Sequence, residues 1–433
     1  MVVGAGAAGC VVAARLSERA GRSVLLLEAG PDRVVTTGSS FLEDMDAPGR
    51  TWPDLTAVRA PGQEARPYLR GWGVGGSAAI NAMVAMVGER DDYDEWERVY
   101  GCLGWSWRDV RPWFRRVALP ARRPRRRELG PLSAAVLSTA TGAERARLTR
   151  GRDGSRASVN EVYIERARLR SNLRMRPDSL VDRVLFDGRR AVGVRLADGE
   201  VVEAGLVVLC AGALHGPAVL LRSGVDREGI GYGLHDHPSL SLALEPLDYP
   251  KLETSLAVSV VVHRSHVSQY DLQIVPFDAV EGASLMAAAM RVHSRGRVRL
   301  AGPGATLNPI VEFNMLDDER DLHLLRAAAK EARDIASHLA VAAMATASAM
   351  PTTDDELLGA VGDYFHAAGS CRMGASDDPL AVVDTRCRVI GYESLIVCDS
   401  SVMPNLPRAN PCLPTVMIAE RISATIDADL RDK

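Results

Sequence analysis

The chain opens on a short apolar run that breaks into Gly4-x-Gly6-x-x-Gly9 and then continues with apolar residues at helical spacing from Cys10 to Ala20, where Gly21 ends the pattern. Strand, tight turn and helix therefore follow one another within the first twenty residues or so. The unbroken apolar run Val24 to Leu27 comes next and predicts a buried parallel strand, closed by Glu28. Each residue has a physical task in such a unit. Gly4 permits the turn, Gly6 lets backbone approach a pyrophosphate, and Gly9 lets helix and strand pack closely. The unpaired N–H groups of the helix N-terminus offer themselves to phosphate charge, and Glu28 stands at the spacing expected of an acid that accepts ribose hydroxyl hydrogens. A plain glycine turn would need none of these flanking features. Only three residues precede Gly4, so the first strand is at its minimum length and the domain is expected either to start upstream or to be slightly weakened.

With 433 residues the chain exceeds what one compact core normally holds, and two domains with a cleft between them are expected. A formal charge of −3 supplies no field that would draw nucleic acid or an anionic membrane, so affinity has to come from a local site. The arginines between Arg111 and Arg127 are the local exception and read as a solvated loop. Seven widely spaced cysteines without a C-x-x-C pair argue for reduced thiols rather than a disulfide frame or a zinc site. No apolar run has the length of a spanning helix, and no basic region with an apolar stretch stands ahead of the first strand; the expectation is a cytoplasmic enzyme.

Further along, residues 71–84 read GWGVGGSAAINAMV and residues 90–96 read RDDYDEW. Then come GWS at 104–106, VLCAGA at 208–213, LHDHP at 234–238, HSRG at 293–296, HAAGSCRMG at 366–374, VCDSSVMP at 397–404 and Asn410-Pro411. In this order the segments resemble the glucose–methanol–choline (GMC) oxidoreductases over nearly the whole chain. The resemblance implies an α/β fold: a Rossmann-like FAD-binding domain built from residues 1–238 and 380–433, and a substrate domain, 239–379, with an antiparallel sheet backed by helices.

It also implies FAD rather than NAD, which the residues alone do not separate. Cofactor contacts are implied for Gly4, Gly6, Gly9, Glu28 and Ala29, for Gly75, Gly76, Ser77, Asn81 and Val84 of the second glycine segment, and for Val181 near adenine. Ala211, Asp399, Ser400 and Pro411 complete the set. Some relatives bond the flavin to a histidine just before the asparagine of the second segment; that position is Ile80 here, so the FAD is expected to be noncovalent. The chain is shorter than typical members, with the loss mainly after Phe114 and in the substrate domain.

Oxidising an alcohol requires the hydroxyl proton to reach a base and the carbon's hydrogen to leave as hydride. Histidine suits the first step near neutral pH, but nine are present and chemistry alone does not rank them. The family pattern does: it implies His366 as base and Asn410 as the uncharged partner that clamps the substrate oxygen. Pro414 and Thr415 are expected to begin a helix whose N-terminal end favours negative charge on the reduced flavin, with Val416, Met417, Ala419, Ile422 and Ile426 buried behind it. Cys371 and Cys412 are read as packing groups. His235, Asp236 and His237 suggest a metal cluster but match a family turn, so no metal is expected.

The implied reaction takes a small alcohol as substrate and passes electrons to oxygen or another carrier. A redox-silent lyase of the hydroxynitrile-lyase type and a non-catalytic flavin-binding protein are the alternatives on the same fold. From Ser239 onward, Leu240, Leu242 and Leu244, Val258, Val260 and Val262, Leu272 and Ile274, and Val298 and Leu300 predict half-buried strands, and Asp321 to Leu339 predicts a helix.

Overall fold

A computed structural model describes residues 1–33, 45, 47–247, 256–279 and 282–431. Five parallel strands form its first sheet, in the order Leu395–Val397, Val207–Leu209, Val2–Val3, Val24–Leu27, Leu173–Arg176. The first four of these strands are apolar because elements cover them: Val2, Val208, Leu209, Leu26, Leu27 and Val397 are almost wholly buried. The two-residue opening strand is the central one. Val2 pairs with Val208 on one side and Leu26 on the other, and the Met1 ammonium donates to the Leu206 carbonyl at 2.8 Å.

The first helix spans Ala7–Leu16, earlier than the expected Cys10 to Ala20. Gly6 is its N-cap, so residues directly after the turn already lie in the first helical turn, and Ser17 ends it by returning its N–H to the Ala13 carbonyl. The C-terminal helix Cys412–Asp429 packs along this helix. It begins at Cys412, with Pro411 as N-cap and Pro414 tolerated within the first turn, and Val416, Met417, Ala419, Ile422 and Ile426 are buried.

A second, antiparallel sheet has six strands in the order Ala345–Ala347, Ser239–Pro246, Gly282–Ala289, Leu272–Ala279, Val260–Arg264, Ala143–Arg145. Its last strand, with the helix Pro131–Thr139 that packs beside it, comes from a segment the sequence reading grouped with the cofactor domain. Val258 makes only an isolated bridge to Phe277, and Val298 lies in a separate three-stranded sheet with Tyr232–Leu234 and Ile310–Glu312. The helix Glu319–Ser337, capped by Asp318, backs the six-stranded sheet with Leu324, Leu325, Ala328, Ala329 and Ala332.

Alternation divides the sheet into two faces. Leu272, Ile274, Leu285 and Ala287 join the core under that helix, whereas Val275, Phe277, Met286 and Ala288 pack with Tyr364 on the opposite side. The arginine stretch is only partly loop: Arg111 lies in the helix Trp107–Phe114, Arg122 pairs with Glu128 at 2.7 Å and Arg123 with Glu144 at 2.8 Å, while Arg115, Arg116 and Arg125 to Arg127 are exposed. All seven cysteines are free, and all but Cys412 are buried.

Candidate active site

A cavity of about 400 Å³ runs from the glycine turn at the first sheet to the inner face of the second. Of the expected cofactor residues, Gly4, Gly6, Glu28, Ala29, Gly76, Ser77, Asn81, Val84, Val181, Ala211, Asp399, Ser400 and Pro411 line it. Gly9 and Gly75 do not; they shape the backbone behind it.

The three glycines of the turn differ in what a side chain would meet. A Cβ on Gly9 would lie 1.8 Å from the Gly4 carbonyl oxygen, and one on Gly4, at φ +95°, would lie 2.5 Å from the Cys210 carbonyl oxygen. A Cβ on Gly6 would meet no atom of the described residues within 4 Å, though Gly6 lines the cavity. Gly4 and Gly9 thus serve close packing, and Gly6 faces open space at a helix N-terminus, where an anionic group fits. Gly75, at φ +97°, caps the short turn Gly76–Ala79.

Glu28 sits at the end of its strand with each oxygen already accepting one backbone N–H, from Ala5 at 2.7 Å and Gly30 at 2.9 Å. Each carboxylate oxygen keeps a second lone pair for a hydroxyl donor. Asp399 is held the same way by Gly212 N–H and Ser401 N–H, both at 2.8 Å. Burial pushes both carboxyls above the usual carboxylate range.

At the far end of the cavity His366 and Asn410 meet, with Nε2 and Nδ2 3.2 Å apart. Phe365, at φ 62°, is the turn that swings the imidazole into place. The His366 backbone N–H donates to Asp236 Oδ1 at 2.8 Å, and Tyr68 donates its hydroxyl to Asp236 Oδ2 at 2.8 Å. The other ring nitrogen, Nδ1, lies 2.9 Å from Nδ1 of His237. Tyr364 leans over the imidazole with ring centroids 4.3 Å apart.

These contacts select a tautomer. With Asn410 Nδ2 donating, the one lone pair of His366 Nε2 accepts that N–H at the cavity wall, so the ring proton sits on Nδ1 and is donated to His237 Nδ1. Burial, reinforced by His237 and Arg70, holds the His366 pKa well below its ordinary value, and burial takes that of His237 down to about 3. The pair is therefore neutral at physiological pH, and a basic nitrogen faces the cavity. Burial also raises Asp236 to about 7. Asn410 Oδ1 is buried without a partner among the described residues, as expected of an atom that awaits a ligand hydroxyl.

Asp236, His237 and His366 bring three potential ligand atoms within 4.8 Å of one another. Their proximity is accounted for by the protein's own bonds, since both Asp236 oxygens accept and the two Nδ1 atoms share one proton. Cys371 is wholly buried, as read; Cys412 instead lines the cavity beside Pro411 and Thr415 at the helix N-terminus.

Sequence reasoning missed Asp236, His237, Tyr68 and Tyr364 as parts of this assembly, and it did not identify the inward residues Phe277 and Met286. One signal was readable. If Leu272 and Ile274 mark the core face of a strand, then 273, 275 and 277 belong to the other face, and Phe277 is the large apolar residue on it.

Ile80, where the resemblance looked for a flavin-linking histidine, is buried against the cavity.

Profiles described as GMC oxidoreductase match residues 1–151 and 141–239 for the N-terminal part and 292–419 for the C-terminal part. An uncharacterized GMC-type oxidoreductase of Rhodococcus erythropolis is 32% identical, covering 99% of this chain and 98% of that one. A 5-(hydroxymethyl)furfural oxidase of Methylovorus sp. (strain MP688) is 30% identical over 98% of each. The crystal structure of pyridoxine 4-oxidase from Mesorbium loti superposes with a TM-score of 0.86 at 26% identity, covering 99% of this chain and 98% of that chain.

Proposed function

The chain belongs to the GMC oxidoreductase family, an FAD-dependent group that oxidises CH–OH donors, and from that premise we propose that His366 and Asn410 carry the oxidation of an alcohol to a carbonyl. The observation that carries this reading is a neutral, buried imidazole whose acceptor nitrogen lies at the cavity beside a carboxamide with an oxygen unpartnered among the described residues; a substrate hydroxyl would take the place of the carboxamide N–H on that nitrogen. FAD, when bound, supplies the two-electron acceptor for the hydride of the carbinol carbon.

The rest is the work of side chains. His366 Nε2 takes the hydroxyl proton, and Nδ1–H stays on His237, which fixes the ring's orientation. Asn410 Nδ2 donates to the oxygen as it gains charge, and being uncharged it does not compete for the proton. Gly6 and the start of the helix Ala7–Leu16 would receive the pyrophosphate, Glu28 the ribose hydroxyls, Val181 the adenine, and Gly76, Ser77, Asn81, Asp399 and Ser400 the flavin end. The N-terminus of Cys412–Asp429 would favour negative charge on the reduced ring.

Ile80 has no nucleophile, which supports noncovalent FAD. Free cysteines throughout support a reducing, cytoplasmic setting, and among the described residues no helix is long and apolar enough to cross a membrane. The two large sheets support a domain division at 238/239 and 379/380, with the exception of residues 131–145, which give a helix and a strand to the second. Electrons then pass to oxygen or another carrier.

The test is anaerobic mixing of the flavin-loaded protein with a panel of alcohols. Bleaching of the flavin is expected; retained colour with every alcohol rejects oxidation and leaves the lyase or the non-catalytic flavin-binding protein. Acid precipitation of the same protein should release the flavin to the supernatant, and a yellow pellet rejects noncovalent attachment.

A further inference from the structure

We propose that His266 and His323 form a surface site for one divalent cation of the zinc, nickel or copper class, separate from the flavin chemistry. Their Nε2 atoms lie 2.9 Å apart, with ring centroids at 4.8 Å. Both residues are exposed, and neither lines the cavity that holds His366.

Two separate pieces of backbone fix this approach. His266 lies in the turn between the strands Val260–Arg264 and Leu272–Ala279. The buried Asp271 gathers that turn: its Oδ1 accepts the His266 N–H at 2.8 Å, and its Oδ2 accepts those of Val267 and Ser268. His323 stands on the helix Glu319–Ser337, on the same side as Glu331 two turns later. Arg264, where the strand ends, donates to Glu331 Oε2 at 2.8 Å. The turn is thus tied to one side of the helix at two points, by an ion pair and by the imidazole pair, so both rings are presented from rigid elements.

The spacing suits a metal. Imidazole nitrogens about 2.0 to 2.1 Å from a zinc ion, at angles of about 90 to 109°, lie about 2.8 to 3.4 Å from each other. In the absence of an ion one Nε2 donates its proton to the other. When an ion binds, the donating ring carries that proton on its own Nδ1 instead, and both Nε2 lone pairs turn to the cation. Water fills the remaining positions; no proton is lost and nothing is oxidised. Imidazole ligands favour zinc, nickel and copper over magnesium and calcium. The two histidines are 57 residues apart and share no motif, so the pair is a product of the fold.

Calorimetric titration of the flavin-loaded, tag-free protein near neutral pH with zinc, nickel or magnesium chloride tests the proposal. One zinc or nickel ion per chain is expected, with a rise in Tm that EDTA reverses, and no uptake of magnesium. His266→Asn and His323→Asn should each weaken zinc binding at least about 10-fold, since even the loss of a partner behind a metal ligand costs that much. Flavin content should stay native in both. Zinc uptake undiminished in the double variant places the ion elsewhere and overturns the proposal, as does no uptake by the unchanged protein. Copper(II) on the unchanged protein gives a reading that needs no variant. Its EPR spectrum should carry coupling to two imidazole nitrogens, and coupling to one or none overturns the pair.

Discussion

Nδ1 of His366 lies 2.9 Å from Nδ1 of His237, 129 residues away in sequence, and two imidazoles at that distance share a single proton. The arrangement leaves Nε2 as the acceptor nitrogen, on the side where Asn410 stands.

Replacing His366 by Ala is expected to lower the rate of flavin reduction by about 100- to 10,000-fold, the usual worth of a positioned base. Asn410→Ala should cost about 100- to 1,000-fold, the range for one oxyanion donor. Both variants should purify with flavin bound. Stopped-flow bleaching under nitrogen measures each, and wild-type rates in either remove that residue from the mechanism.

The pH profile follows from the direction of the His366 shift. Burial disfavours the imidazolium, so the base stays unprotonated throughout the neutral range, and reduction should be flat there. The rate should fall only in acid, below the ordinary histidine value of about 6.5. A half-maximal rate above that value would show an unburied base and contradict the geometry.

Stability should respond to Asp236. An unfolded chain ionises this carboxyl near pH 4, while burial keeps it protonated to about 7 in the folded protein. Between these values the folded state holds a proton that the unfolded state has released, so this group's effect is loss of stability as pH rises through that window. Asp236→Asn keeps an oxygen for the His366 N–H and removes the titration. Its Tm should therefore gain on the wild type between pH 4 and 7; parallel curves would rule out the linkage.

The glycine turn separates cofactor binding from folding. Gly6→Val places its side chain in open cavity space, and the protein should fold with a near-native Tm but without flavin. Gly9→Val drives a side chain into the Gly4 carbonyl and should lower Tm or abolish soluble expression. Flavin retained at native stoichiometry in Gly6→Val would move the pyrophosphate elsewhere.

Much of the cofactor half was legible because its signals are local. Gly4, Gly6, Gly9 and Glu28 fall within one strand-turn-helix-strand unit, whose geometry is set by neighbours in sequence. The helix Ala7–Leu16 was displaced in the reading because apolar spacing marks the buried face and not the first turn, where Ala7 and Gly9 carry little hydrophobic signal. His366 and Asn410 were reached only through family likeness. Their meeting depends on the Phe365 turn and on Asp236 gripping the His366 backbone, and such long-range contacts leave no periodicity behind. His237 was dismissed as part of a turn for the same reason, since its partner lies in another segment. Strands such as Leu272–Ala279 were legible by alternation, but which alternate set faces the cavity depends on sheet register.

The outermost strand of the parallel sheet, Leu395–Val397, and the helix that lies along Ala7–Leu16 both come from the last tenth of the chain. During synthesis the opening strand and its glycine turn thus emerge long before the parts that flank and cover them. The proposed pyrophosphate cradle would stay unfinished until translation has nearly ended, so loading with dinucleotide is expected to be a late event in the life of the nascent polypeptide, and a message cut short near its 3′ end is expected to yield protein that does not retain the coenzyme.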